Sequence, residues 1–406
     1  MSGCPFVSFD PANPPVPPDL VLPVGGRLRE RPEDFVVEEI PLYPASGEGE
    51  WSMILVEKRE ITTPALVRHL AAALDARPRE IGWAGYKDRR AVARQWLTVR
   101  ARDDLEGLEG DGWRILEARR HRNKLKTGHL WGNRFEVRVR GATRPAEEVA
   151  PWIDKIVRSG VPNGFGPQRF GTFGRNHLAG DAIIRGDPDA LLRVLSEPVE
   201  GENARVSEGR EALANEQWAQ AVRAFPRDFE IERHLAQVLR GRDDRERALR
   251  TLPRRPRDFL ISAWQSACFN EVLVARLEDA RPLVLGDLAL RLPRGRPFSV
   301  TDLAAELPRA QRLEISATGP LPGREAPSPT DDAAALERPV LERLGVPTTA
   351  ETLPRGTFRG ARRPLRVRIV DPHVRGEDAE TLVFSFSLPA GSFATSVFAL
   401  LGIRDG

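Results

Sequence analysis

The order of predicted secondary structure constrains this chain most, because strand patterns at both ends flank a helical middle. Most strand patterns lie within residues 35–140 and return over 365–388, whereas residues 178–280 have mainly helical periodicity. Strands separated in this way predict an α+β fold in which one domain is inserted into another. The length of 406 residues agrees, since it exceeds what one ordinary hydrophobic core organises.

Residues 133–140 form the clearest strand pattern, with apolar and charged side chains alternating. The apolar ones are Phe135, Val137 and Val139, and the charged ones are Arg134, Glu136, Arg138 and Arg140. This alternation predicts a half-buried strand with a basic outer face. Basic residues are also dense over 119–126. Such a run is usually a solvated loop, but beside a basic strand face it indicates nucleic-acid binding about equally well.

Helix boundaries are marked locally at two places. Thr63 followed by Pro64 predicts a helix start with Thr63 as its cap. Apolar residues at helical spacing over 146–158, followed by Gly160, predict a second helix with a defined end.

Composition gives little support to metal, disulfide or membrane proteins. The two cysteines form no CxxC pattern, and the six histidines are scattered without an HExxH motif. The first residues lack the layout of a signal peptide, and no apolar stretch approaches membrane length. We therefore expect a cytoplasmic protein with no membrane span and no metal site.

The segment AGYKDRRAVARQW (84–96) sets one carboxylate, Asp88, among basic residues at the end of a predicted strand or in the turn after it. Neighbouring cations favour the ionised form of such a carboxyl group. It could face a phosphate-bearing substrate, or it could be an ordinary ion-pair turn. Spacing alone favours the ordinary turn, because structural ion pairs are far commoner than catalytic ones.

Two glycine-containing loops carry aromatic residues. The loop VPNGFGPQRFGTFGRN (161–176) contains Asn163 and Phe165, and LPAGSFATSV (388–397) contains Phe393. Exposed aromatics on a stiff loop can stack on bases and an amide can read a base edge, but packing into a core is the commoner outcome. The first loop lacks the GK[ST] ending of a phosphate-binding loop.

Taken together, six segments resemble the TruD family of tRNA pseudouridine synthases, in one order along nearly the whole chain. They are RPEDFVVEE (31–39), AGYKDRRAVARQW, RHRNKLKTGHLWGNRFEV (120–137), VPNGFGPQRFG (161–171), SAWQSACFNEVL (262–273) and FSLPAGSFATSV (386–397). Several independent motifs in the family's order make chance agreement implausible.

The resemblance implies a fold and an activity. The fold is a pseudouridine synthase core, with a mainly antiparallel mixed sheet and flanking helices, formed by residues 1–174 and 366–406. An inserted TRUD domain of mixed α and β structure would span 175–365. The activity is isomerisation of uridine to pseudouridine in tRNA, by family precedent at position 13, and it needs no metal or cofactor. The oligomeric state does not follow from the resemblance, and a monomer is the default expectation.

The resemblance also implies which residues act. Asp88 would be the catalytic carboxylate. The residues expected to bind substrate are Phe35, Asn163, Phe393, Phe165, Lys87 and Arg29. Two departures from the family pattern stand out: Arg29 where many members carry lysine, and Gly164 in place of the usual tyrosine.

Two other functions compete with the enzyme. A non-catalytic tRNA-binding or RNA-folding protein would share the basic strand and the phenylalanines, but it gains nothing from Asp88 in an RNA-facing pocket. A metal-dependent nuclease would need clustered carboxylates, and the sequence offers none near Asp88.

Overall fold

The computed structural model describes residues 5–347 and 359–403. Its strands, in chain order, are β1 (Phe35–Pro41), β2 (Trp51–Arg59), β3 (Gly82–Trp83), β4 (Val92–Arg100), β5 (Glu109–Gly110), β6 (Trp113–His121), β7 (Leu130–Arg140), β8 (Val161–Pro162), β9 (Leu288–Arg291), β10 (Phe298–Ser299), β11 (Ile315–Leu321), β12 (Ala361–Pro364), β13 (Arg366–Val367), β14 (Val370–Gly376) and β15 (Thr381–Pro389). Its α-helices are α1 (Thr63–Ala73), α2 (Ala146–Ser159), α3 (Pro167–Phe170), α4 (Asn176–Arg185), α5 (Pro188–Ser196), α6 (Ala204–Ala214), α7 (Trp218–Ala224), α8 (Glu230–Gly241), α9 (Arg245–Arg250), α10 (Arg254–Asp279), α11 (Leu303–Gln311), α12 (Asp331–Arg343) and α13 (Ala394–Leu400).

Both ends of the chain build one large sheet. Its strands follow the order β14, β15, β7, β1, β4, β2, β6 and β5, with β3 paired to β4. β1 and β4 run parallel, while the other pairs are antiparallel. β15 pairs with β7 over nine registered positions, from Thr381 opposite Arg140 to Pro389 opposite Gly132. The late strands therefore complete the sheet that the early strands begin.

The strand β7 alternates as its sequence predicts, but its outer arginines are largely neutralised. Arg138 pairs with Glu377 at 3.1 Å, and Arg140 pairs with the buried Asp34 at 2.7 Å. Carboxylates from neighbouring segments lie opposite the strand, and these partly buried ion pairs offset the positive charge of the arginines. The outer face is thus less basic than the alternation suggests.

The basic run before β7 is also paired with acids. Arg119 contacts Glu117, Arg122 contacts Glu48, and Arg120 lies 2.6 Å from Asp103. The positive charge that the sequence places over 119–126 is therefore shared with carboxylates, which weakens it as an indication of nucleic-acid binding.

The helical middle surrounds the long helix α10. A Cβ atom at Gly180 would lie 2.2 Å from the carbonyl oxygen of Leu260, so only glycine lets α4 cross α10 this closely. Phe165 and Phe170 belong to this second core, as do Phe6 and Phe9 from the start of the chain. A four-stranded sheet of β10, β9, β11 and β12 stands beside the helices.

A short ribbon marks where the chain passes between the two cores. β8 pairs antiparallel with β13, with Val161 opposite Val367 and Pro162 opposite Arg366. The Asn163 N–H then donates to the carbonyl oxygen of Leu365 at 2.8 Å. The outgoing and returning segments therefore lie side by side.

Within the two described ranges, none of the helices combines the length and hydrophobicity needed to cross a bilayer.

Candidate active site

Asp88 lies in the irregular loop between β3 and β4, and its neighbour Lys87 fixes this loop to the sheet. The Lys87 N–H donates to Oγ1 of Thr63 at 3.0 Å, and Lys87 Nζ donates to Oε2 of Glu39 at 2.6 Å. Thr63 in turn donates to Oε1 of the buried Gln95 at 3.0 Å. The loop is therefore held by α1, β1 and β4 at once.

Thr63 is available for this role because the helix is capped one residue earlier than the sequence predicts. The side chain of Thr62 accepts from the N–H of Ala65 at 3.3 Å, whereas Thr63 is fully buried. The prediction of Thr63 as the cap was wrong, because its hydroxyl is bonded inside the protein.

Lys87 and Glu39 form a buried ion pair rather than a solvent-facing one. Burial raises the pKa of Glu39, and the Lys87 ammonium opposes that rise. Breaking a buried pair by removing one partner is costly because it leaves an uncompensated charge. Lys87 was expected to bind substrate, either by neutralising phosphate or by steadying Asp88, and its contacts here favour the second role.

Asp88 itself is partly open to solvent and contacts one cation. Its Oδ2 lies 3.1 Å from Nη2 of Arg29, and 38% of its side chain is exposed. Oδ1 has no hydrogen-bond donor in the part of the chain that the structure describes. One carboxylate oxygen is thus steadied while the other stays accessible, as a nucleophile or a base requires.

Lys58 is the functional residue that the sequence did not reveal. It is fully buried on the inner face of β2, and its Nζ donates to the carbonyl oxygens of Asp88 at 2.6 Å and Ile61 at 2.7 Å. Burial lowers the pKa of Lys58 to about 8, although the Asp88 carboxylate acts in the opposite direction. The sequence did contain a clue, because side chains alternate along a strand and Lys58 therefore lies on the same apolar face as Ile54 and Val56.

Arg29 connects Asp88 to Phe35. Its guanidinium carbon lies 4.2 Å from the centre of the Phe35 ring, which is a cation–π distance. Arg29 also has a φ of 58°, a left-handed conformation that is uncommon outside glycine. Such local strain is typical of residues that the surrounding structure holds in place for a function.

Four aromatic rings run from Phe35 across the inner face of the sheet. Successive ring centres are separated by 6.0 Å from Phe35 to Phe135, 5.4 Å to Phe386 and 5.9 Å to Phe398 in α13. This row joins the Asp88 group to the last helix, whose N-cap residue is Phe393.

Asn163, Phe165 and Phe393 form a second group around Arg363. The Asn163 side chain donates to the carbonyl oxygen of Pro364 at 2.9 Å and accepts from Arg363 Nη2 at 2.6 Å. The guanidinium of Arg363 lies 4.2 Å from the centre of the Phe165 ring and 5.8 Å from that of Phe393. The amide of Asn163 is therefore already bonded within the protein.

The phenylalanines of this group differ in how far they are exposed to solvent. Phe165 is only 5% exposed and packs in the helical core, so it supports Arg363 rather than offering a face to a base. Phe393 is half-buried. The structure explains why position 164 is a glycine, because a Cβ atom there would lie 2.8 Å from Cδ of Pro15. The start of the chain fills the space that a tyrosine would need.

The structure thus brings the predicted residues together as two groups, linked by the aromatic row and by Leu130. A Cβ atom at Gly85 would lie 3.3 Å from Lys87 Nζ and 3.5 Å from Cδ1 of Leu130. The carbonyl oxygen of Leu130 accepts from Nη2 of Arg294 in the β9–β10 connection. Nowhere in residues 5–347 and 359–403 do three or more His, Cys, Asp or Glu side chains gather as metal ligands would.

Known proteins match this chain over almost its full length. The family model described as tRNA pseudouridine synthase D (TruD) matches residues 21–399. The chain is 45% identical over 379 residues to a tRNA pseudouridine synthase D of Geobacter metallireducens, covering 92% of this chain and 94% of the relative. It is 36% identical over 384 residues to one from Thermus thermophilus, covering 92% and 88%.

A solved structure agrees with these sequence matches. The crystal structure of a Methanosarcina mazei protein, described as a putative tRNA pseudouridine synthase D (TruD), superposes with a TM-score of 0.78 at 28% identity, covering 94% of each chain. The resemblance inferred from the six segments and the α+β fold expected from it are confirmed. The chain belongs to the TruD family of tRNA pseudouridine synthases.

Proposed function

We propose that this protein isomerises uridine to pseudouridine in tRNA, with Asp88 as its catalytic carboxylate. The observation that carries the proposal is the Asp88 loop, in which a partly exposed carboxylate contacts Arg29 through one oxygen only. The loop lies in a chain whose relatives are named tRNA pseudouridine synthase D. By family precedent, the modified uridine is at position 13.

The reaction is an isomerisation and needs no oxidant or reductant. The bond from N1 of uracil to C1′ of the ribose breaks, and a bond from C5 to C1′ forms. C5 loses its proton and N1 gains one, so atoms and electrons balance within the nucleotide.

Asp88 has the chemistry for the step at the sugar or base. An ionised carboxylate needs no activating base to act as a nucleophile. It can attack C1′, attack the base, or assist elimination at the sugar, and the geometry is compatible with all three. Arg29 would hold Oδ2 in place, and Lys58 would hold the backbone that carries the carboxylate.

A uridine in folded RNA must leave its stack to reach Asp88. We propose that Phe35, Asn163 and Phe393 line the pocket that receives it. Asn163 and Phe35 are buried now, at 3% and 4% exposure. Their part in binding therefore requires the two groups to open, whereas Phe393 is already only half-buried.

We also propose that residues 175–365 form the inserted domain and help to grip the tRNA. Support comes from the β8–β13 ribbon, which places the outgoing and returning chain side by side, and from the separate core around α10. The cytoplasmic location and the monomeric state stay predictions.

Tritium release tests the proposal. A tRNA that carries tritium at uridine C5 should lose the label when it is incubated with the wild-type protein. Asp88→Asn should abolish release while tRNA binding persists, because the variant changes only the carboxylate. Asp104→Asn is the matched control, since Asp104 is a surface carboxylate paired with Arg102.

Each outcome separates the candidate functions. Normal release by Asp88→Asn would refute the assignment of the catalytic carboxylate. No release by the wild type, with tRNA still bound, would favour the non-catalytic RNA-binding protein. Release from unrelated RNA at the same rate would refute tRNA as the specific substrate.

A further inference from the structure

A cavity of about 220 Å³ lies between the β9–β10 connection, the end of β12 and the loop that joins β15 to α13. Its polar lining comes from Asn163, Arg294, Arg363 and Ser392. None of the described residues that line it is acidic. Such a lining favours an anionic ligand.

Two arginines line this cavity, Arg294 and Arg363, and Arg169 lies over the same phenylalanine ring as Arg363. Within residues 5–347 and 359–403, neither Arg169 nor Arg294 nor Arg363 pairs with an acid. This contrasts with the arginines on β7 and before it, several of which contact Asp or Glu. Within the described residues, the positive charge of these three side chains is therefore not offset by a carboxylate.

Arg363 is the centre of the arrangement. Its Nε donates to the Asn163 carbonyl oxygen at 3.0 Å, and its Nη2 donates to Oδ1 of Asn163 and to the Gly391 carbonyl oxygen at 2.8 Å. Its Nη1 has no acceptor within the described chain. Nε and Nη2 thus fix the orientation of the guanidinium, and the N–H groups of Nη1 can donate to a ligand.

The charges repel one another at close range. Arg169 and Arg363 both lie over the Phe165 ring, at 5.4 Å and 4.2 Å from its centre. Burial, together with the Arg169 charge, lowers the pKa of Arg363. The aromatic faces compensate in part, but two partly buried like charges without an acid are best satisfied by an anion that enters from solution.

Size and position point to a phosphate group. The cavity is smaller than typical small-molecule pockets of roughly 300–1,000 Å³, so it suits one group of a larger molecule. Arg294 also binds the carbonyl oxygen of Leu130, which borders the Asp88 loop. A group bound here is therefore near the RNA path that the proposed function requires.

We propose that this cavity binds a backbone phosphate of the RNA substrate through Arg363 and Arg294. The proposal rests on the proposed function, because it identifies the ligand as the RNA that Asp88 modifies. Arginine suits the task, since its planar fork matches phosphate geometry.

The salt dependence of tRNA binding tests this assignment. The probe is an unmodified tRNA transcript, titrated with the full-length protein over a range of KCl concentrations. Each phosphate contact that is lost reduces the slope of log K against log[KCl] by about 1. Arg294→Gln and Arg363→Gln should each bind more weakly and with a shallower slope than the wild type.

Arg245→Gln is the matched control, because Arg245 is paired with Asp189 and Glu216 in the helical unit and should leave the slope unchanged. A variant that binds weakly with the wild-type slope would overturn the proposal, because that result indicates a structural role. If Arg363→Gln misfolds, Arg294→Gln still tests the phosphate site. Arg294 is exposed, so its replacement should leave the fold intact.

Tritium release by the wild type keeps the two proposals apart. Release with unchanged slopes in the variants overturns the phosphate site alone. Shallower slopes without release overturn the enzyme and leave an RNA phosphate site. A wild-type protein that neither binds nor modifies tRNA overturns both.

Discussion

Replacement of Lys58 by methionine should change both the stability and the activity of the protein, and the structure gives the size of each effect. Lys58 is fully buried, and its pKa is about 8 against an ordinary value of 10.5. At about 1.4 kcal/mol for each pH unit, this difference corresponds to about 3 kcal/mol of folding free energy.

The sign follows from proton binding. Below about pH 8 both the folded and the unfolded chain hold the proton on Lys58. Between about pH 8 and 10.5 the folded protein has released it while the unfolded chain still binds it. Raising the pH through this window therefore favours the folded state of the wild type. Methionine has no proton to release, so the variant lacks this gain.

The measurement is the free energy of urea unfolding of both proteins from about pH 7 to about pH 11. The wild type should gain about 3 kcal/mol relative to Lys58→Met over that range. Lys155→Met is the control, because Lys155 also donates to a backbone carbonyl, that of Asp19, but on the surface. A difference that stays flat with pH would refute the claim that Lys58 is desolvated.

The same variant should lose activity because it frees the Asp88 backbone. A hydrogen bond from a charged donor contributes about 1.5–3 kcal/mol, which corresponds to a fall in kcat of about 10- to 100-fold. Unchanged kcat would show that Lys58 does not position the catalytic loop.

Four further results are expected. Glu39→Leu should lower the free energy of urea unfolding by about 3–5 kcal/mol, because it leaves the Lys87 charge buried and unpaired; a loss below about 1 kcal/mol would contradict this. Arg29→Met should reduce kcat by about 10- to 100-fold, with Arg29→Lys partly restoring it, and equal rates for the two variants would argue against the ion pair with Asp88. Gly132→Ala should prevent stable folding, measured by thermal melting, because its Cβ would lie 2.1 Å from the Leu388 carbonyl oxygen; a normal melting curve would rule that clash out. Treatment with EDTA should leave tritium release unchanged, and loss of release that added Mg²⁺ restores would point to metal-dependent chemistry.

Structural features that depend on residues close together in the sequence could be predicted from it. The alternation in β7 gave its inner face, and the expectation that Asp88 lies at a strand end or in the turn after it agrees with its loop before β4. Both predictions depend on contacts between a strand and its immediate surroundings. The choice of Thr63 as a cap failed by one residue, because a side chain distant in sequence, Gln95, accepts its hydroxyl hydrogen bond.

The contacts that build the site span long stretches of sequence and could not be read from it. Glu39 and Lys87 are 48 residues apart, and Asn163 and Arg363 are 200 residues apart. A lysine on an apolar strand face, as at position 58, signals a buried charge, but its acceptor is known only when the loop is placed. The resemblance named several of these residues, but not their partners.

The pairing of β15 with β7 has a consequence for biosynthesis. About 240 residues separate the two strands, so at about 5–20 residues per second the ribosome takes roughly 10–50 s to supply the partner of β7. During this time one edge of the emerging sheet is open to other nascent chains. Arg134, Arg138 and Arg140 lie along that edge, and charged residues discourage strand-to-strand aggregation. We therefore expect the charged residues of β7 to limit pairing with other chains until translation reaches its last strands.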